Sequence, residues 1–479
     1  MKRLRVLLVN VGFRPYENRV YSLPLGVMYL AAYLRERLDV DIRIINQKVY
    51  NIPDDEVVRS AVDFGADVVG LSALTSSAHH FPYLTSQTRR AIPHSLIVLG
   101  GPHVSSVGSR SLEGTAADAA VPGEGEPALE AVIRHHFEGG GLAGVPGIFR
   151  RDRDNEIVVN PGKMPPIEDL DSLPFPAYDL IDLPAYWGFG TQRSRLKRSI
   201  RSLLEPRYIS IFASRGCPYR CYYCHKIFGK KFRMQSAERI VEEVRYCENK
   251  YGADTIKILD DIFNLDRDRL FRFCDMIREE HGSMAIHFVN GLRTDILDEA
   301  QIDALVSAGT NMCAFSLESG SPRIQKMIGK NLDIERYLEN VHRAAEAGIM
   351  AQGFVMLGFP TETAQEMRKT LDVCRRSSLH HARFYFVVPF PGTELYEATL
   401  KTHPVELRAL RYDNLDFERK LIINLSNVSD EELLYYKIEA DKIYEKPRSR
   451  TTRSVGERLL HLRRTIHRVS KRVTKNSRG

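Results

Sequence analysis

Three thiols fall within the short stretch Cys217-Pro218-Tyr219-Arg220-Cys221-Tyr222-Tyr223-Cys224. Soft thiolates at that density suit an iron–sulfur cluster or zinc. A cubane cluster has four irons and usually takes four thiolates. Three thiolates leave one iron open, and an open metal position is what a catalytic site keeps for a reacting ligand. Zinc would need a fourth Cys or His at ligand spacing. His225 directly follows Cys224 and would strain to close the same site, so the cluster is the favoured reading.

The stretch that precedes these thiols, Tyr208-Ile209-Ser210-Ile211-Phe212, is β-branched and aromatic and predicts a strand. Strand patterns recur at 255–259, 285–289, 312–317, 352–357 and 383–388, with helical patterns such as 237–251 and 334–347 between them. Six β/α units are too few for an eightfold barrel and predict a partial (β/α)6 barrel, whose chemistry gathers at the carboxyl ends of its strands. Ahead of it, five strand patterns at 6–11, 41–46, 67–74, 95–101 and 119–123 alternate with amphipathic segments at 25–38 and 54–64. Near-continuous apolar strands in that alternation predict an α/β, flavodoxin-like, doubly wound parallel sheet. Ligands bind beyond the carboxyl ends of such strands. The residues there are Ser72 and Thr75, Gly100 and Gly101, and Gly123, Glu124 and Gly125. The glycines permit close backbone approach and the hydroxyls supply hydrogen bonds. Residues 151–206 read as a proline-broken linker, with a basic stretch at 193–201. The expected layout is a sheet domain at 1–150, the linker, the barrel at 207–395 and a small helical carboxyl-terminal region at 396–479.

The spacing C-x3-C-x2-C, with Tyr223 just before the last Cys, resembles the signature of the radical S-adenosylmethionine (SAM) enzymes. Motifs at the other strand ends strengthen the resemblance: Asp260-Asp261, Asn290-Gly291-Leu292-Arg293, Ser316-Leu317-Glu318-Ser319-Gly320, Gly358-Phe359-Pro360-Thr361-Glu362 and Pro389-Phe390-Pro391-Gly392. With Ser22-Leu23-Pro24-Leu25-Gly26 and the glycine loops, residues 1–150 resemble the cobalamin-binding domain found ahead of many radical SAM domains. The resemblance implies a [4Fe-4S] cluster on Cys217, Cys221 and Cys224, SAM on its open iron, and cobalamin on the first sheet. It further implies that Glu318 and Ser316 bind the ribose or amino group of SAM, that Arg293 faces its carboxylate and that Tyr223 lies near the adenine. One departure stands out: many cobalamin domains carry a His in the loop after the first strand as lower cobalt ligand. Here that loop, Gly12-Phe13-Arg14-Pro15-Tyr16-Glu17-Asn18, has none.

The activity this implies is methylation of an unactivated carbon on a small biosynthetic intermediate, with an electron donor such as flavodoxin or ferredoxin. A cobalamin-dependent radical cyclase or rearrangement enzyme is the alternative, and a non-catalytic cobalamin-binding regulator is another. No nucleic-acid partner is expected: methylthiotransferases acting on RNA hold a second cluster on amino-terminal cysteines, and residues 1–216 contain none.

The whole chain has 479 residues, 43% hydrophobic and 27% charged, as a globular enzyme would. An odd count of seven cysteines predicts a reducing cytoplasm and no disulfide framework. Residues 446–479 hold twelve Lys and Arg against one Glu, within a chain of net charge +7, so the remainder is mildly acidic. Val455, Leu459, Leu462, Ile466, Val469 and Val473 recur there at helical spacing among the basic residues. Such a helix can make peripheral contact with an anionic membrane, or pack its stripe on the barrel while its charges stay solvated.

Overall fold

The computed structural model describes residues 3–12, 23–187, 206–282, 284–414 and 416–445. The predicted basic helix at 455–473, the basic stretch at 193–201 and most of the loop that lacks His lie outside the described residues.

Five strands, β1 (Leu4–Asn10), β2 (Val40–Asn46), β3 (Val68–Ser72), β4 (Leu96–Gly100) and β5 (Ala119–Ala120), form a parallel sheet in the order 2-1-3-4-5. Their apolar runs are covered on both faces. Val6 and Leu8 pack with Val27, Ala31, Leu129 and Val132 on one side, while Leu7 and Val9 pack with Val57, Ala61, Phe64 and Leu84 on the other. An antiparallel hairpin, β6 (Phe149–Arg151) and β7 (Ile157–Val159), extends the sheet. It straddles the expected boundary at 150, because three-residue strands are too short to show an apolar period.

The second half opens on β8 (Tyr208–Ile211), followed by a small antiparallel pair, β9 (Ser214–Arg215) and β10 (Arg233–Met234), that brackets the thiol-bearing loop. Then come β11 (Thr255–Ile258), β12 (Ala285–Leu292), β13 (Thr310–Glu318), β14 (Met350–Leu357) and β15 (His381–Phe386). With β8 these form a six-stranded parallel sheet in the order β15-β14-β13-β12-β11-β8, and the partial barrel is open between its two outer strands. β12 runs on through Asn290 and Gly291, expected as loop, by way of a register shift between Phe288 and Leu292. Barrel helices open on side chains that accept a backbone N–H, Ser236, Asp266, Asp298, Asp333 and Thr363. Cys247, Cys274, Cys313 and Cys374 are fully buried packing residues. The helix Asp430–Glu445 closes the far edge, with Leu433, Tyr436 and Ala440 buried. No helix among the described residues is long and apolar enough to cross a membrane.

The segment expected as a linker is part of the interior. Leu170, Leu173, Tyr178, Leu183 and Tyr186 share one core with Leu25, Met28 and Tyr29 from the first half and with the strands of the barrel. Tyr178 donates its hydroxyl hydrogen to the buried Glu243 at 2.7 Å, and Asn46 at the end of β2 donates to the Tyr186 oxygen at 2.9 Å. Prolines break helices here, but an irregular chain can still bury its side chains.

The two halves also meet through Gly392, in the loop after β15. Its φ is +82°, and a Cβ there would lie 3.0 Å from Ser106 Cα and 3.1 Å from the Ser106 carbonyl oxygen, on the helix after β4. Gly392→Ala should therefore cost more than the roughly 1–2 kcal/mol of a left-handed residue alone. Gly114→Ala, at φ +66° with nothing within 4 Å, is the control; equal losses in unfolding midpoint for both would show that the contact with Ser106 contributes nothing.

A second expectation concerns pH. Glu362, in the loop after β14, accepts the Gly358 and Phe359 N–H groups at 2.8 and 3.1 Å, while its other oxygen is buried without a partner. Burial pushes its carboxyl from an ordinary 4.5 up to about 7, with nearby Glu366 adding to the rise and Arg323 opposing it. The neutral acid is thus favoured in the fold. Its contribution is full below 4.5 and is lost as pH rises through about 7. Glu362→Gln should gain stability relative to the parent between pH 5 and 8 in urea titrations; a difference that stays constant over that range would show a carboxyl ionised throughout.

Candidate active site

The thiol loop hangs between β9 and β10 and is anchored from two barrel elements. Tyr222 donates its N–H to Ile328 O at 2.8 Å, and Leu395 donates to Tyr222 O at 3.0 Å. Lys226 pairs with Glu394 at 2.5 Å. Cys217 and Cys221 are half-buried, and Cys224 is the most exposed of the three. Removal of its sulfur from water nevertheless pushes the Cys224 thiol up to about 12, and Asp261 and the other two thiols add to the rise. Metal binding would release the protons of such thiols and turn them into soft anionic ligands. Among the described residues no three His, Cys, Asp or Glu side chains converge as the ligands of a single ion do. A cubane asks for a different arrangement, since each corner iron takes its own thiolate, and three soft donors along one anchored loop fit that group.

The neighbouring strand ends brace this loop. Asp260 accepts the Ala213 N–H at 2.7 Å and the Ser214 hydroxyl at 2.5 Å, and burial raises its carboxyl to about 6. It ties β11 to β8 and caps no helix. Asp261 faces His225 at 3.4 Å. Arg293, expected to face the carboxylate of SAM, has much of its fork engaged inside the protein. Its Nε and Nη2 reach Asp295 at 2.8 and 2.9 Å, Nη2 also reaches Lys330 O at 2.9 Å, and the guanidinium lies 3.7 Å over the Tyr219 ring. The nearby Asp295, two residues on, is what a reading of isolated motifs leaves out.

Glu318 closes β13 at φ +63°, a left-handed backbone that a side-chain-bearing residue adopts at a cost. A register shift between Ser316 and Glu318 accompanies it. Lys330, buried like Glu318, reaches its carboxylate at 3.1 Å, and the half-buried Tyr223 faces the same carboxylate. Glu318 therefore meets Tyr223 of the thiol loop, Ser316 lies two residues before it on the same strand, and Lys330 is the cation that sequence reasoning missed. It lies twelve residues beyond Glu318, after a helix, with no spacing rule to reveal it.

The inward faces of β14 and β15 were also missed. Phe354 and Tyr385 stand 6.2 Å apart, Tyr385 and Phe417 5.3 Å, and Phe390 lies 5.9 Å from Tyr412. The sequence did not show this wall, because the runs 354–357 and 384–386 are apolar throughout; only burial separates Val355, Leu357, Phe384 and Phe386, which are fully buried, from the half-exposed Phe354, Met356 and Tyr385.

At the edge of the first sheet, Ser72, Thr75, Gly100, Gly101 and Gly123 converge. Gly101 has φ +87°, and a Cβ there would strike Ser72 Oγ at 2.5 Å. At Gly123 nothing lies within 4 Å of where a side chain would stand, and its N–H is held by Ser105 Oγ at 2.8 Å. Open space over bare backbone, flanked by hydroxyls, fits the broad face and amide fringe of a corrin. His103 joins this edge, 3.4 Å from Thr75 Oγ1, and burial drops its imidazole to about 4, so it is neutral. The other two expected residues turn away. Gly125 backs onto Leu30, and Glu124 is committed to Arg215, Arg233 and the Ile167 N–H.

The chain matches the Radical SAM superfamily over residues 211–374 and the B12 binding domain over 19–133. It is 30% identical over 404 residues to an uncharacterized methyltransferase, PH0819, of Pyrococcus horikoshii, covering 83% of both chains. Cytidylyl-2-hydroxyethylphosphonate methyltransferase of Streptomyces wedmorensis is 26% identical, covering 83% of this chain and 82% of that one. Anaerobic magnesium-protoporphyrin IX monomethyl ester cyclase of Rubrivivax gelatinosus is 24% identical, over 78% and 66%. Among solved structures, the cobalamin-dependent radical SAM enzyme OxsB superposes with a TM-score of 0.65 at 18% identity, over 85% of this chain but only 56% of its own length. The radical SAM methyltransferase TsrM of Kitasatospora setae superposes with the same score and identity, over 84% and 75%. Sequence motifs, fold and relatives agree: the chain belongs to the cobalamin-binding radical SAM enzymes, which use a [4Fe-4S] cluster, S-adenosylmethionine and cobalamin.

Proposed function

We propose that this enzyme methylates an unactivated carbon of a small-molecule intermediate, drawing electrons from a donor such as flavodoxin or ferredoxin. The observation that supports it most is the meeting of the two cofactor edges. The loops after β8 and β15, the outer strands of the open barrel, both touch loops that follow β4 and β5 of the first sheet. The carboxyl ends of both sheets are thus held against each other, as a methyl transfer between two centres requires. When bound, the cluster supplies the electron that cleaves SAM, and cobalamin carries the methyl group.

The protein's part is to bind, orient and exclude water. Cys217, Cys221 and Cys224 would hold the cluster, with one iron left for SAM. Glu318, fixed by Lys330 and by its own strained backbone, takes the ribose or amino group with Ser316, and Tyr223 packs near the adenine. Ser72, Thr75, Gly100, Gly101 and Gly123 seat the corrin. The wall of Phe354, Tyr385, Phe417 and Phe390 offers an apolar surface to the substrate's carbon skeleton.

Two measurements test this. Methylation consumes two SAM molecules per turnover and should give S-adenosylhomocysteine and 5′-deoxyadenosine together with a methylated product. Replacing the three cysteines with Ala should abolish deoxyadenosine and the bound iron. Substrate-dependent deoxyadenosine without matching S-adenosylhomocysteine would instead decide for a cyclase or rearrangement, the chemistry named for the Rubrivivax relative.

Glu318→Gln isolates the SAM contact. A hydrogen bond to a charged group contributes about 1.5–3 kcal/mol, so the variant should bind SAM roughly 10- to 100-fold more weakly with iron and cobalamin contents unchanged. Unaltered SAM affinity would move the contact elsewhere.

A further inference from the structure

The loop after β5 and the strand leading into the thiol loop are joined by two glutamates and two arginines. Arg215 Nη1 donates to Glu124 Oε2 at 2.9 Å and to Glu126 Oε2 at 3.3 Å, and its Nη2 donates to Glu126 Oε1 at 2.6 Å. Arg233, paired with Arg215 across β9 and β10, donates to Glu124 Oε1 at 2.5 Å and to Ile167 O at 2.6 Å. The Arg215 guanidinium lies between the rings of Tyr29, from the first half, and Phe228, from the thiol loop, at 5.8 and 5.6 Å. None of the four charged side chains is more than 6% exposed.

Stability alone does not account for such a cluster. Charges taken out of water lose hydration that their mutual attraction barely returns, and well-packed apolar residues in the same volume serve as well or better. What the charges add is direction. A guanidinium fork meets a carboxylate in one plane and at one distance, whereas an apolar contact can slide. The cluster sits where direction matters: Arg215 is two residues before Cys217, and Glu124 directly follows Gly123, which faces the open edge of the first sheet.

We propose that Arg215, Arg233, Glu124 and Glu126 form a latch that sets the separation and orientation of the cluster relative to cobalamin. Glu124 and Arg215 are positioning residues in this role, and neither touches a cofactor. The latch serves methylation and cyclisation alike, so it does not depend on which reaction the enzyme performs.

The test measures the geometry directly in the fully loaded holoenzyme. With the cluster reduced and cobalamin in its cob(II) state, both centres are paramagnetic, and pulsed dipolar spectroscopy reads the distance between them. Arg215→Lys keeps the charge but loses the fork, and Glu126→Gln keeps the shape but loses the charge. Both should retain iron and cobalamin, yet show a broadened or displaced distance distribution. Misplacement by about 1 Å is enough to cost on the order of 10²-fold in transfer between the centres, while cleavage of SAM at the cluster itself continues. Glu126→Gln carries the measurement alone if Arg215→Lys does not accumulate as folded protein. Distance distributions that superimpose on the parent would overturn the proposal. So would loss of cobalamin from Glu124→Gln with the fold intact, because Glu124 would then be a cofactor contact and not part of a latch.

Discussion

Parallel strands impose one constraint from which much of this molecule follows. A strand that must pair parallel to its neighbour sends the chain back outside the sheet, so every strand ends at the same edge and every crossover helix lies on a face. The parallel strands of both sheets obey it: the first collects its glycines and hydroxyls at that edge, the second its carboxylates and thiols. Placing the two edges against each other then needs few contacts. Gly392 against Ser106 holds one side of the barrel opening, and Arg215 with Glu124 and Glu126 holds the other. The chemistry depends on this arrangement more than on any single side chain.

Within that frame, the buried polar groups near the site divide into those that fasten and those left able to bind. Asp260, Arg293 and Glu124 are fastened to partners inside the protein. Glu318 is different, because it sits on a left-handed backbone and its carboxylate, met by Lys330 and Tyr223, has lone pairs left to accept more. Strain kept where a ligand binds is a recurrent feature of such sites, and here it coincides with the end of the central strand β13.

The strands were legible in sequence because a short, continuous apolar run bounded by turn residues fits little besides a strand buried on both faces. The barrel strands expected from that pattern coincide with the observed ones to within a few residues. The three thiols were legible because soft donors rarely crowd together by chance. Partners distant in sequence were not. Lys330 beside Glu318 and Arg215 beside Glu126 are meetings created by the fold, with 89 residues separating the second pair. The protein partners of Arg293 and Glu124 were hidden for the same reason, since a side chain's type shows what it can bind and the fold decides which neighbours it meets. Residues 151–206 read as a tether because prolines rule out helix, although they do not rule out burial of Leu170, Tyr178 and Tyr186.

That buried connector has a consequence for how the chain is made. Synthesis delivers the first sheet before any barrel strand exists, and domains generally fold as they emerge. Leu25, Met28 and Tyr29, however, belong to a core whose remaining members are translated up to several hundred residues later. Until β8 and the helix after β10 arrive, this apolar face of the nascent first half has nothing of its own to cover it. The newborn amino-terminal half is therefore a client for whatever shields apolar surface on the ribosome, and gene fragments cut at the apparent linker would inherit the same exposed face for good.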